Sequence, residues 1–144
     1  MTTVYEFNGD YSFLSNFHPA PVLLDHRLYP TVEHAYQAAK TFDRAAREEI
    51  RFTDRPGDAK RLGKKLELRE DWPYVKQSIM LGLVLQKFQR HHLLKEKLLA
   101  TPGWLEEGNT WGDIEWGICP PRSGIGQNLL GKILMTVRVY ISIK

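Results

Sequence analysis

From residue 31 to residue 100 the chain carries helical patterning with few interruptions, and this constrains its fold more than any other feature. The periodicity predicts helices over about 31–41, 43–51, 56–65, 72–89 and 91–100, and a further one at 125–142. Within 72–89, Val75, Ile79 and Leu83 combine with Met80, Val84 and Phe88 into a broad apolar face. Little chain is left for sheet. VYEF (4–7), and PVLLD with HRLYP (21–30) around a turn near Asp25, read as short strands. FLSNF (13–17), followed by His18-Pro19, reads as irregular. Residues 101–124 hold three prolines and five glycines, so that stretch is loop-rich with room for a short strand. The expected fold class is α+β: a single compact, predominantly helical domain over 1–144 with a small β-sheet.

At 144 residues one domain can bury a real core. No apolar run approaches the roughly 20 residues that cross a bilayer, so no membrane partner is expected. The opening MTTVYEFNGDYS lacks the basic start and apolar stretch of a signal peptide. Cys119 is the single cysteine, which excludes an internal disulfide and fits a reducing, cytoplasmic setting. A net charge of +3 suits an anionic ligand but is too small to argue for nucleic acid by itself. The span 58–70 gathers Lys60, Arg61, Lys64, Lys65 and Arg69, either as a solvated helix face or as a phosphate-facing patch. There is no HExxH, no CxxC and no other paired ligand spacing, so neither a metal nor a cofactor is expected. No obligate protein partner is evident.

Two segments carry more chemistry than their structure needs. In PTVEHAYQAAK (30–40), Thr31 is a suitable N-cap, and Glu33, Gln37 and Lys40 follow at i, i+4 and i+7. An acid, an amide and an amine therefore share one narrow stripe, as either a solvated face or a site. In TWGDIEWGICPPRSGIGQN (110–128), Trp111, Asp113 and Trp116 crowd a stretch without periodic pattern. The indoles either close the core over a glycine turn or form a platform for a flat ring with Asp113 beside it. Asn128 stands where it could cap the last helix or bond a ligand, and Gly124 and Gly126 expose backbone N–H groups suited to an anion. Neither Cys119 with a base nor a serine elbow supplies a nucleophile by any sequence rule. Carboxylates (Glu33, Asp113 and also Glu107), one lysine, aromatics and an anion-friendly loop suit cleavage of a glycosidic bond, where a cationic sugar forms and needs a negative neighbour.

FLSNF (13–17), YPTVEHAYQAAK (29–40), AKRLGKKLELREDW (59–72), KFQ (87–89), LLAT (98–101), EGNTWGDIEWGIC (107–119) and GQNLLGKILMTVR (126–138) run in the order of a known family. Through P-T-V-E-H, W-G-D and N-x-L-G the chain resembles the YbiA-like N-glycosidases of the NADAR superfamily. CPPRSGIG departs from the pattern as a slightly longer link before the glycine turn. The resemblance implies an α+β domain that hydrolyses N-glycosidic bonds of phosphorylated ribosyl compounds, such as ribosylaminopyrimidine phosphate intermediates of riboflavin synthesis. Another branch of the superfamily removes ADP-ribose from guanine in DNA or RNA. Carried over by motif position, Glu33 and Asp113 are catalytic candidates, with Lys40 next as a phosphate contact or a Schiff-base amine. Asn16, Gln37, Trp72, Trp111, Trp116 and Asn128 are substrate-binding candidates, while His34 reads as a core histidine. The partner implied is a small ribosyl phosphate, or alternatively ADP-ribosylated nucleic acid. A non-catalytic module that binds ADP-ribose or NAD, and a nucleic-acid-binding accessory protein, are the readings from other classes.

Overall fold

A computed structural model describes residues 2–143. The chain divides into two compact units, one joining Met1–Ser15 to His91–Lys144 and the other formed by Asn16–Arg90. The fold is α+β and mostly helical, as the patterning predicts.

The second unit opens with a hairpin, β2 (Val22–Leu24) against β3 (Arg27–Tyr29). Asp25 and His26 both take positive φ, the twist that a two-residue hairpin turn requires. The amide of Gln86 bonds both backbone groups of Leu23, so the hairpin is tied to helix α4 (Trp72–Arg90). Helix α1 (Val32–Ala39) follows, and every one of its eight residues is buried. It packs against α2 (Arg44–Arg51), α3 (Pro56–Lys64), α4 and the hairpin. Small side chains at Ala35, Ala38 and Ala39 let these neighbours close in from several sides. On α3 the buried residues are Ala59 and Gly63, one turn apart, so a bare strip of that helix meets α1. On α4 the buried residues Met80, Leu83, Val84, Lys87 and Phe88 keep helical spacing, with a lysine inside the apolar face.

In the first unit β1 (Thr3–Val4) runs parallel to β4 (Trp104–Leu105), so the small sheet consists of two separate pairs. β1 is shorter than the 4–7 expected, although the Tyr5 carbonyl still accepts from Gly108 N–H. A 3₁₀ turn (Gly9–Leu14) buries Phe13 and Leu14. Helix α5 (His92–Leu99) and the last helix α6 (Leu129–Ser142) complete the unit. α6 starts four residues later than 125 because Gly124, Gly126 and Asn128 all hold positive φ, which a right-handed helix cannot contain. Among the described residues no helix is long and apolar enough to cross a membrane.

Candidate active site

Thr31 caps α1 as expected: its Oγ1 accepts from His34 N–H at 3.0 Å. The same hydroxyl meets His34 Nδ1 at 2.8 Å, and His34 Nε2 lies 3.0 Å from the Thr53 carbonyl. A carbonyl can only accept, so Nε2 carries the proton and Nδ1 accepts from Thr31. Burial lowers the His34 pKa, against the opposing pull of the Thr53 carbonyl and Asp58. His34 is a satisfied core histidine.

Glu33 is 7% exposed, which removes the solvated-face reading of the stripe. Its Oε2 accepts from Gln37 Nε2 at 2.6 Å, and its N–H donates to the Asn16 carbonyl at 3.1 Å. The Asn16 side chain is directed at Met80 Sδ, 3.5 Å away, so here Asn16 shapes the helix entry. Gln37 is held from its other side by α3. A Cβ placed on Gly63 would stand 1.9 Å from Gln37 Oε1, so only glycine allows this approach. That oxygen is buried without a hydrogen-bond partner. The amide is thus oriented by packing, with its donor end on the carboxylate.

Lys40 ends α1 and is half-buried. Its Nζ stands 5.8 Å from the Tyr36 ring centroid, and Tyr36 in turn packs on buried Trp72 with centroids 5.2 Å apart. Trp72 therefore backs the ring that Lys40 lies against. Burial lowers the Lys40 pKa; Lys60, Lys64 and Lys76 push it the same way and Glu33 opposes. Three lysines from α3 and α4 thus converge electrostatically on the end of the stripe, an arrangement suited to an anion. Arg61 and Arg69 do not join them. Arg61 pairs with Asp58, and Arg69 forks onto Asp71 while its N–H donates to the Lys40 carbonyl at 2.7 Å. Nothing in the sequence ties Lys76, Tyr36 or Gly63 to the stripe; only a helix packing that places α3 and α4 beside α1 would have raised them.

The remaining candidates belong to the first unit. Trp111 is 62% exposed and Trp116 half-buried, so the indoles do not close a core. Asp113 Oδ1 accepts from the N–H groups of Glu115 and Trp116 at 3.0 and 2.9 Å. This carboxylate therefore shapes the loop, whatever else it does. Asn128 spends both ends of its amide on backbone, donating to Leu105 O at 2.9 Å and accepting from Glu107 N–H at 3.0 Å. That is the geometry of a clamp between α6 and β4, and it stands in place of the side-chain cap expected.

Asn109 is the hub that sequence reasoning missed. It is buried, donates to Asp113 O at 2.8 Å and to Glu107 Oε2 at 3.1 Å, and accepts from Asp113 N–H at 3.1 Å. Glu107 lies across Gly117, where a Cβ would fall 1.9 Å from Oε2. We expect Asn109→Ala to cost roughly 1–3 kcal/mol in urea unfolding, since it strands buried partners. An unchanged midpoint would mean the loop is held by other contacts.

Among the described residues no three His, Cys, Asp or Glu side chains gather as a metal site would need. Compared with known proteins, residues 4–142 match the family model described as NADAR domain. The chain is 38% identical over 143 residues to N-glycosidase YbiA of Escherichia coli, covering 97% of this chain and 88% of that protein. It is 38% identical over 142 residues to an N-glycosidase of Nostoc punctiforme, covering 95% and 90%. A riboflavin biosynthesis protein of Vibrio vulnificus is 32% identical over 136 residues, 93% of this chain but 36% of that longer protein. The NMR structure of Escherichia coli YbiA superposes with a TM-score of 0.84 at 37% identity, covering 99% of this chain and 84% of that one.

Proposed function

This chain belongs to the NADAR domain family, and from that premise we propose that it is an N-glycosidase acting on phosphorylated ribosyl compounds. The single observation that carries the reading is the buried Glu33–Gln37 pair with Lys40 and its neighbouring lysines at the end of the same helix. Breaking an N-glycosidic bond leaves a sugar with cationic character, and a buried carboxylate stabilises it far better than an exposed one. Glu33 is the carboxylate in this reading, either facing that charge or taking a proton from water. Gln37 positions it. Lys60, Lys64 and Lys76 hold the ribose phosphate, and Lys40 either joins them or, because burial and the same crowding favour its neutral amine, attacks an opened sugar. Asp113 is our second carboxylate, and Trp111 and Trp116 are our ring contacts. No step calls for a metal or cofactor.

Relatives named as N-glycosidases and as riboflavin biosynthesis proteins support an aminopyrimidine ribosyl phosphate as the substrate. The reaction belongs in a reducing, cytoplasmic setting, which the unpaired thiol of Cys119 favours. Base release followed by mass spectrometry tests the reading. Free base is expected from the aminopyrimidine ribosyl phosphate; release only from ADP-ribosylated guanine DNA would move the assignment to nucleic acid. Release from neither would leave a ligand-binding module.

The phosphate assignment has its own test. Replacing Lys60, Lys64 and Lys76 together by Gln should raise KM for the phosphorylated substrate about tenfold, as three exposed or half-exposed charge contacts of modest strength would. The dephosphorylated compound should be much less affected. Equal effects on both would return these lysines to a solvated surface.

A further inference from the structure

Beside the β2–β3 turn lies a cavity of about 320 Å³ that includes none of the residues assigned to hydrolysis. Its charge is arginine-rich: Arg27, Arg44 and Arg47 line it with Asp25 and Glu48. The two carboxylates are already engaged. Glu48 receives Arg27 at 2.9 Å and Arg51 at 2.5 Å, and Asp25 takes Nη1 of Arg47. Arg47 itself is only 12% exposed. Its Nε donates to the Thr41 carbonyl at 2.7 Å, so one edge of the guanidinium is fixed. Nη2, however, is buried with no partner at all. A buried guanidinium nitrogen left without an acceptor is costly, and an anion that enters the cavity and displaces the side chains covering it would satisfy it.

The rest of the wall adds detail. Arg44 stands exposed at the rim, and Tyr29 lines the interior. Burial raises the Tyr29 pKa, so the phenol stays a proton donor at neutral pH. Phe42 forms an exposed ring wall, backed by the Arg69 guanidinium 4.0 Å from its centroid. The cavity lies at the lower end of the range for small-ligand sites, about 300–1,000 Å³. It has room for an anion with a ring attached. We propose that this cavity binds a phosphomonoester carried on a flat ring, with the phosphate on Arg47 and Arg44 and the ring on Phe42.

The proposal stands on this geometry alone and does not depend on the hydrolytic reading. Titrating the ¹⁵N-labelled full chain with adenosine 5′-monophosphate, inorganic phosphate and adenosine at constant ionic strength tests it. We expect amide shifts at Asp25, Tyr29, Arg44 and Arg47 with the monophosphate, smaller ones with phosphate and none with adenosine. The double variant Arg27→Gln/Arg44→Gln removes exposed or half-exposed cations and should weaken the monophosphate at least tenfold, with a native spectrum and unchanged base release. Arg47→Lys, which removes the orphaned nitrogen, should abolish the shifts while keeping a charge. Shifts confined to Lys40, Lys60 and Lys64, equal response to adenosine, or unaltered affinity in the double variant would each overturn the proposal.

Discussion

Replacing Glu33 by Gln lowers kcat by about 10²- to 10⁴-fold, the range typical of a carboxylate that acts in the transition state. Affinity for a ribose phosphate and the melting temperature stay near their original values. The reasoning rests on isosterism. A glutamine at 33 keeps an oxygen to accept from Gln37 Nε2 and keeps the volume buried against α3 and α4. Only the charge is lost, and with it the stabilisation of a cationic sugar. Asp113→Asn is the parallel measurement for the loop. An asparagine there still offers Oδ1 to the N–H groups of Glu115 and Trp116, so a fall in kcat with the loop intact reads on chemistry. Steady-state kinetics beside calorimetric binding make the distinction. Wild-type turnover in Glu33→Gln, or loss of turnover together with the fold, would reduce Glu33 to a buried structural acid.

Replacing Lys87 by Met should stabilise the protein most below pH 7, with the advantage shrinking steadily up to about pH 10. Lys87 is 2% exposed on the apolar face of α4, and burial pushes its pKa down to about 7. The ordinary value, 10.5, holds in the unfolded chain. Between those two values the unfolded state binds a proton that the folded state has lost, so wild-type stability rises with pH. The slope is about 1.4 kcal/mol per pH unit at most. Below pH 7 both states are protonated and the full cost of a buried charge is present. Methionine fits the same space without titrating. Urea unfolding of both proteins from pH 6 to pH 10 isolates this residue, because other groups cancel in the difference. A difference independent of pH would show that Lys87 is charged in the fold and compensated by its surroundings.

Most helices were legible because their cause is local. The spacing of Met80, Leu83, Val84 and Phe88 predicts α4, Thr31 predicts the start of α1, and Asp25-His26 predicts the hairpin turn. The boundary error at α6 has a local cause too: an asparagine in the left-handed region looks, in sequence, like an ordinary first helical residue. β1 was shortened by its pairing, which joins residues 3 and 4 to residues 104 and 105, a distance no short-range pattern encodes.

The sequence alone determined that Glu33, Gln37 and Lys40 share a stripe, because a helix repeats every 3.6 residues whatever surrounds it. The hydrogen bond from Gln37 to Glu33 is a consequence of the same i, i+4 spacing. Motif order determined the family. Only the tertiary structure decided that this stripe is buried, since burial depends on which helices arrive at α1 and how closely. It decided that Gly63 pins Gln37, that Lys76 joins Lys60 and Lys64 at Lys40, and that Arg61 and Arg69 turn away to Asp58 and Asp71. It also decided that the Asn128 amide clamps β4 and that Arg47 keeps a buried nitrogen without an acceptor. In each case the physical reason is the same: charge and hydrogen bonding act across space, between residues whose separation along the chain carries no information about their distance.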